Sequence, residues 1–238
     1  MQHGRAIGAL PHAANTASGS LQTGLAGPCE CLQTGYIAMP ETTSTGTRRG
    51  PIVVSRHGRP QLDRTAGPRL GWRDYKDWWD RYEESPLRDD QVAPDNLKQL
   101  VADATLVFAS ARIRAQETAA RAAPHLEAIH DPVFNEAPLP PPRIAGVKYL
   151  PKTWNILARA AWLSGHSLDG ESVSEARVRA ALAAQKLHAA SEDQKVYLAA
   201  HGWFNRMLRP EIKKLGWKCV YDGGDSYWSH RIYEYRDK

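Results

Sequence analysis

Cysteine is scarce in this chain, with three residues in 238, and that scarcity argues against two classes of protein. Cys29, Cys31 and Cys219 are odd in number, whereas a disulfide-stapled secreted fold shows an even framework at regular spacing. No second Cys or His pair follows Cys29 and Cys31 at ligand spacing, which argues against a structural zinc site. Long apolar runs are missing as well. Nothing approaches the roughly 20 residues that span a bilayer, and the first residues lack the charged start and apolar stretch of a secretory signal. The expectation is a cytoplasmic protein with no membrane partner. A dense basic block is also absent: the net charge of +5 comes from scattered arginines, which suits anionic partners but not a dedicated nucleic-acid surface.

What is present divides into two parts. Residues 1–49 are rich in Gly, Ala, Ser, Thr and Pro and keep neither a helical nor a strand period. They read as a disordered N-terminal extension ahead of one domain spanning 50–238. In that domain PIVVS, from Pro51, is a short β-branched run ended by RHGRP, a buried strand feeding a loop. TLVFAS, Thr105 to Ser110, is a second buried strand, and Arg112 to Ala123 reads as a helix closed by Pro124. PVFNE, Pro132 to Glu136, is a weaker strand candidate before a proline-rich loop. Ser172 to Leu187 carries one apolar helical face, with Ser172 and Glu175 at capping-box spacing. KVYLAA, Lys195 to Ala200, is a further strand that runs through HGW into a helix reaching about Leu215, and RIYEY reads as the last strand. Strands alternating with helices predict an α/β sheet covered on both faces. Trp72, Tyr75, Trp78, Trp79 and Tyr82 follow helical spacing and are expected to pack an inserted helix over the core.

The chemistry concentrates at strand ends. Two strands finish in the same dipeptide, His57-Gly58 and His201-Gly202, and in open α/β sheets ligands gather at the carboxyl ends of strands. The two histidines are therefore expected in one pocket. Gly58 and Gly202 would let the backbone bring amide groups close to a bound anion. Arg56 precedes the first histidine and Arg114 opens the helix after the second strand, so two guanidinium groups are expected on the same rim. Arginine suits phosphate because its planar fork donates bidentate hydrogen bonds and keeps its charge.

RHGRP at Arg56 to Pro60, ASARIRAQETA at Ala109 to Ala119, DGES at Asp169 to Ser172 and AAHG at Ala199 to Gly202 together resemble the ordered motif series of the histidine phosphatase, or phosphoglycerate-mutase-like, superfamily. The likeness covers about residues 51 to 236. It implies a three-layer α/β/α sandwich with a mostly parallel central sheet, and a phosphomonoesterase acting on a small phosphorylated metabolite or a phosphoprotein. It further implies that His57 is a nucleophile that becomes phosphorylated, with Arg56, Arg114 and His201 completing the phosphate pocket. Glu136 in FNEAPLP would be the proton donor, with Asp63 as the competing carboxyl. Neither a cofactor nor a metal is implied. Phosphoglycerate mutase-type phosphotransfer and a non-catalytic phosphate-binding module stand as alternatives, and the oligomeric state is left open. The residues after RHG are Arg59, Pro60, Gln61, Leu62 and Asp63, where the mutase pattern has Ser or Thr and then Asn.

Overall fold

Parallel pairing of short, mostly apolar strands fixes this architecture. The computed structural model describes residues 48–167 and 170–236. Apart from Arg48 and Arg49, the expected extension lies outside the described residues, as do Cys29, Cys31 and Asp169. In chain order the elements begin with β1 (Ile52–Arg56), α1 (Trp72–Glu83), α2 (Asp95–Val101), β2 (Leu106–Ala109), α3 (Ile113–Ala122) and β3 (Ile129–His130). They continue with α4 (Pro151–Leu163), α5 (Val173–Ala190), β4 (Val196–Ala200), α6 (Gly202–Lys214), β5 (Trp217–Asp222) and β6 (His230–Tyr235). The strands form one six-stranded sheet in the order β3-β2-β4-β1-β6-β5. The β3–β2, β2–β4 and β4–β1 pairs are parallel, and β6 is antiparallel to both β1 and β5.

Alternation along the strands divides the core into two layers. Ile52, Val54, Val196 and Leu198 face α5 and α6, packing with Ala180, Leu187, Phe204 and Ile212. Val53, Val107, Tyr197 and Ala199 face the other way, onto Leu97 and Val101 of α2 and Ala119 and Ala122 of α3. The chain thus adopts the expected α/β/α layers around a mostly parallel sheet. Because both faces are covered, β4 reads as an unbroken apolar run, fully buried from Val196 to Ala200.

A third apolar cluster lies apart from the sheet. Tyr75, Trp78 and Tyr82 of α1 pack on Trp154 and Ala158 of α4, with the Tyr75 and Trp154 rings stacked at 5.6 Å. The Tyr75 hydroxyl donates to Asn155 Oδ1 at 2.8 Å, and Trp154 Nε1 donates to the Leu70 carbonyl at 2.7 Å. The expected inserted aromatic helix is therefore present, and it pairs with a second helix that the sequence pattern did not single out.

One expected strand is displaced. PVFNE does not pair: Pro132–Phe134 form a single 3-10 turn, and the short strand β3 precedes it. Pro132 has no N–H for a ladder, and the Asp131 side chain accepts from Val133 N–H at 2.8 Å, starting the turn. Phe134 is then buried against Phe108 and Phe204.

Candidate active site

Because β1 and β4 run parallel with Arg56 opposite Ala200, the residues that follow them emerge side by side. The His57 and His201 rings consequently lie 5.0 Å apart between centroids. His57 is buried, and its Nδ1 lies 2.7 Å from the Gly58 carbonyl oxygen. A carbonyl only accepts, so Nδ1 carries the proton and Nε2 keeps its lone pair. That lone pair faces Nε of Arg114 at 3.4 Å. Burial first, then Arg114 and Arg56, hold the His57 pKa well below its ordinary 6.5, so the ring is neutral at physiological pH. His201 is held down by burial, Arg114 and His57. Its Nδ1 accepts from Arg114 Nη2 at 3.3 Å, which leaves Nε2–H to donate to Ser110 Oγ at 2.6 Å.

Arg114 sits in the first turn of α3, where β2 hands over to the helix, and its side chain is 1% exposed. It is held from all sides: Nη1 donates to the carbonyls of Tyr82 at 3.1 Å and Glu83 at 2.8 Å, and Nη2 meets Glu83 Oε1 at 2.8 Å. Glu83 also pairs with Arg112 at 2.9 Å. This carboxylate at the end of α1 was not visible as a site residue in the sequence, because it reaches Arg114 only through tertiary packing.

Arg56 leaves β1 with its guanidinium 4.4 Å from the Tyr227 ring centroid and donates to the Asp225 carbonyl. A Cβ on Gly202 would stand 3.1 Å from Arg56 Nε, so glycine at 202 makes room for the guanidinium. Gly58 differs from expectation. Its N–H donates to Thr118 Oγ1 at 3.0 Å instead of facing the cavity, and a Cβ there would come within 2.6 Å of the Trp228 indole. Gly58 is a packing glycine under Trp228, which itself adopts φ 64°. Trp228 Nε1 donates to Gln91 Oε1 at 2.9 Å, and the same oxygen accepts Arg59 N–H at 3.0 Å, tying three loops together.

Glu136 reaches the start of α6. Its carboxylate accepts from Phe204 N–H at 2.8 Å, Ala137 N–H at 3.0 Å and Trp203 N–H at 3.2 Å, an arrangement suited to a helix N-terminus. Asp63 is exposed and accepts from Thr65 N–H at 2.7 Å and Thr65 Oγ1 at 2.6 Å, turned onto its own loop. Those bonds hold its pKa below the ordinary carboxylate value. In DGES, Glu171 pairs with Arg179 at 2.6 Å, and Ser172 with Glu175 closes the capping box of α5.

These groups open into a cavity of about 620 Å³ lined by Arg56, His57, Arg114, Glu136 and Gly202, with Trp79 and Tyr82 of α1 and one side of α4 as its far wall. Asp63 and Gly58 do not line it, and neither does His201, which is fully buried behind Arg114 and Ser110. Six cationic side chains face two carboxylates, Glu136 and Asp225. One of the cations, Arg159, lies between the Trp162 and Trp203 rings at 4.7 and 4.6 Å, and burial brings its pKa down to about 10. No helix among the described residues is long and apolar enough to cross a membrane.

Three solved structures illustrate the likeness to known proteins. A phosphoserine phosphatase from Entamoeba histolytica is 16% identical, with 69% of this chain and 80% of that chain covered at a TM-score of 0.49. A mycobacterial glucosyl-3-phosphoglycerate phosphatase is 19% identical, covering 70% and 80% at 0.47. Bacillus stearothermophilus YhfR is 17% identical, covering 69% and 80% at 0.46. No curated protein matches the chain. The model of the histidine phosphatase superfamily (branch 1) matches residues 52–237, nearly the whole described domain, and the chain belongs to that superfamily.

Proposed function

We propose that this chain is a phosphatase that hydrolyses phosphomonoesters through a phosphohistidine at His57. The observation that carries the reading is the His57 ring in the cavity lining, its Nδ1 fixed on the Gly58 carbonyl, its Nε2 facing Arg114 and its centroid 5.0 Å from that of His201. Nε2 attacks phosphorus in line and displaces the leaving oxygen. Arg56 and Arg114 neutralise the equatorial oxygens as charge shifts, Arg114 by turning its Nε–H from His57 Nε2 to the phosphoryl group as that nitrogen's lone pair attacks. His201 lies beside the same group, and Ser110 and Arg114 set its orientation.

Glu136 is assigned the proton transfers: it protonates the leaving oxygen, then takes a proton from the water that cleaves the P–N bond and releases phosphate. It is favoured over Asp63 because it lines the cavity. The remaining cavity carboxylate, Asp225, has Oδ1 bonded to Arg231 and Oδ2 to Arg206.

The test is hydrolysis of p-nitrophenyl phosphate in EDTA by the wild type and His57→Ala, with acid-labile phosphohistidine trapped during turnover. EDTA-resistant turnover and a trapped phosphoenzyme, both lost in the variant, are expected. Turnover retained by His57→Ala overturns the reading, and interconversion of 2- and 3-phosphoglycerate would replace it with the mutase alternative.

A further inference from the structure

The nucleophile's outer side carries more positive charge than one phosphate requires. Tyr227 is half-buried in the wall of a groove of about 580 Å³ that shares Arg56, Arg64 and Asp225 with the main cavity and adds Arg59, so the two spaces adjoin. Three guanidinium groups converge on its ring: Arg56 at 4.4 Å from the centroid, Arg59 at 5.9 Å and Arg64 at 5.9 Å. Ring quadrupole attraction holds each cation singly, but it does not remove the repulsion among three like charges gathered around one ring.

No carboxylate among the described residues forms an ion pair with them. Among the described residues Arg59 and Arg64 form no ion pair, and Arg56 donates to a carbonyl. Asp225, at the groove's edge, has both carboxylate oxygens bonded to Arg206 and Arg231. Asp63 feels the charge of Arg59 but bonds to Thr65. The groove is also held in place. The Arg64 carbonyl accepts from Lys152 N–H at 2.8 Å, joining this loop to the first turn of α4, and Arg59 N–H is fixed by Gln91.

We infer that Arg59, Arg64 and Tyr227 form a second anion subsite, and that the substrate is a phosphomonoester whose leaving group carries a further carboxylate or phosphate. The inference rests on the phosphatase reading of the adjoining cavity. Arg56, which lines both spaces, would face the transferred phosphoryl group on one side and the groove on the other. Forked donors on a flat ring fit a planar or tetrahedral oxyanion, whereas an uncharged leaving group would leave the cluster uncompensated.

Matched series of alkyl phosphates and ω-carboxyalkyl phosphates, over a ladder of chain lengths, provide the test. For at least one length the wild type is expected to favour the carboxylated member by about tenfold or more in kcat/KM, mostly through KM. In Arg59→Gln/Arg64→Gln that ratio is expected to collapse. Arg59→Gln alone, at an exposed position, should reduce it in part, and circular dichroism checks that both variants fold. Hydrolysis of both series with no preference at any length overturns the inference and leaves the phosphatase reading standing. A preference that survives in the double variant overturns the placement. Failure of both series together with absence of phosphohistidine overturns the phosphatase reading itself, and this inference with it.

Discussion

His57 and His201 owe their neutrality to the same two causes, burial and the Arg114 charge, and this couples the site to the stability of the fold. In the unfolded chain each histidine takes up a proton near pH 6.5; in the folded chain it does so only well below that. The unfolded state therefore binds more protons as pH falls through 6.5. Stability is expected to be flat above that point and to drop below it, by up to about 1.4 kcal/mol per pH unit for each histidine. Urea melts between pH 7.5 and 5.5 measure the slope, and His57→Ala should reduce it, leaving the contributions of His201 and of His188 and His230, which burial shifts in the same direction. By the same reasoning the acid limb of kcat/KM should lie well below pH 6.5. Gly58→Ala is expected to cost about 1–3 kcal/mol through overpacking against Trp228 and to impair turnover, with stability partly restored by Trp228→Ala in the same chain. Arg56, His57, Arg114 and His201 were legible in the sequence because each stands at a strand end or helix start. Glu83, Tyr227 and Trp228 were not, since only folding brings them to the His57 loop and Arg114 from a helix end and a loop near the C-terminus. Gly58 was legible as a necessary glycine but not for its reason, which is an indole ring and not an anion.

Local signals served well for elements that bury a regular face. β1, β2, β4, α3 and α6 follow their apolar runs, and α5 starts at the Ser172 cap foreseen from its spacing with Glu175. Ser172→Ala is accordingly expected to lower stability by about 1 kcal/mol, read as a melting shift, through loss of that cap. The segments that escaped lack such signals. β5 is an edge strand with only Trp217 fully buried, so it shows no period, and α2 is seven residues long. β3 has two residues and gives way to the Asp131-capped turn. α4 owes its place to α1, on which it lays Trp154 and Ala158, so neither helix's role is complete without the other. Trp154→Ala should cost about 3–5 kcal/mol by opening a cavity between them. Because α4 also walls the cavity, a rise in KM should accompany that loss, measured on p-nitrophenyl phosphate.

Across the whole molecule the cationic cavity, six basic side chains against two carboxylates, sets a field that draws anions in. kcat/KM for an anionic substrate is expected to fall as ionic strength rises, since the Debye length contracts from about 30 Å at 0.01 M to about 8 Å at 0.15 M. A salt titration that leaves kcat/KM unchanged would show that the field has no part in capture. The strand order has a further consequence during synthesis. Among the described residues β1 is the first strand made and β6 the last, yet they are direct neighbours, with Ile52 opposite Tyr233. While the ribosome still holds the C-terminal segment, β1 has one side without a partner and the His57 loop lacks the tryptophan that packs on Gly58. A message cut short before His230 would yield a chain with an open apolar edge, a target for strand addition and degradation and not a partly active enzyme.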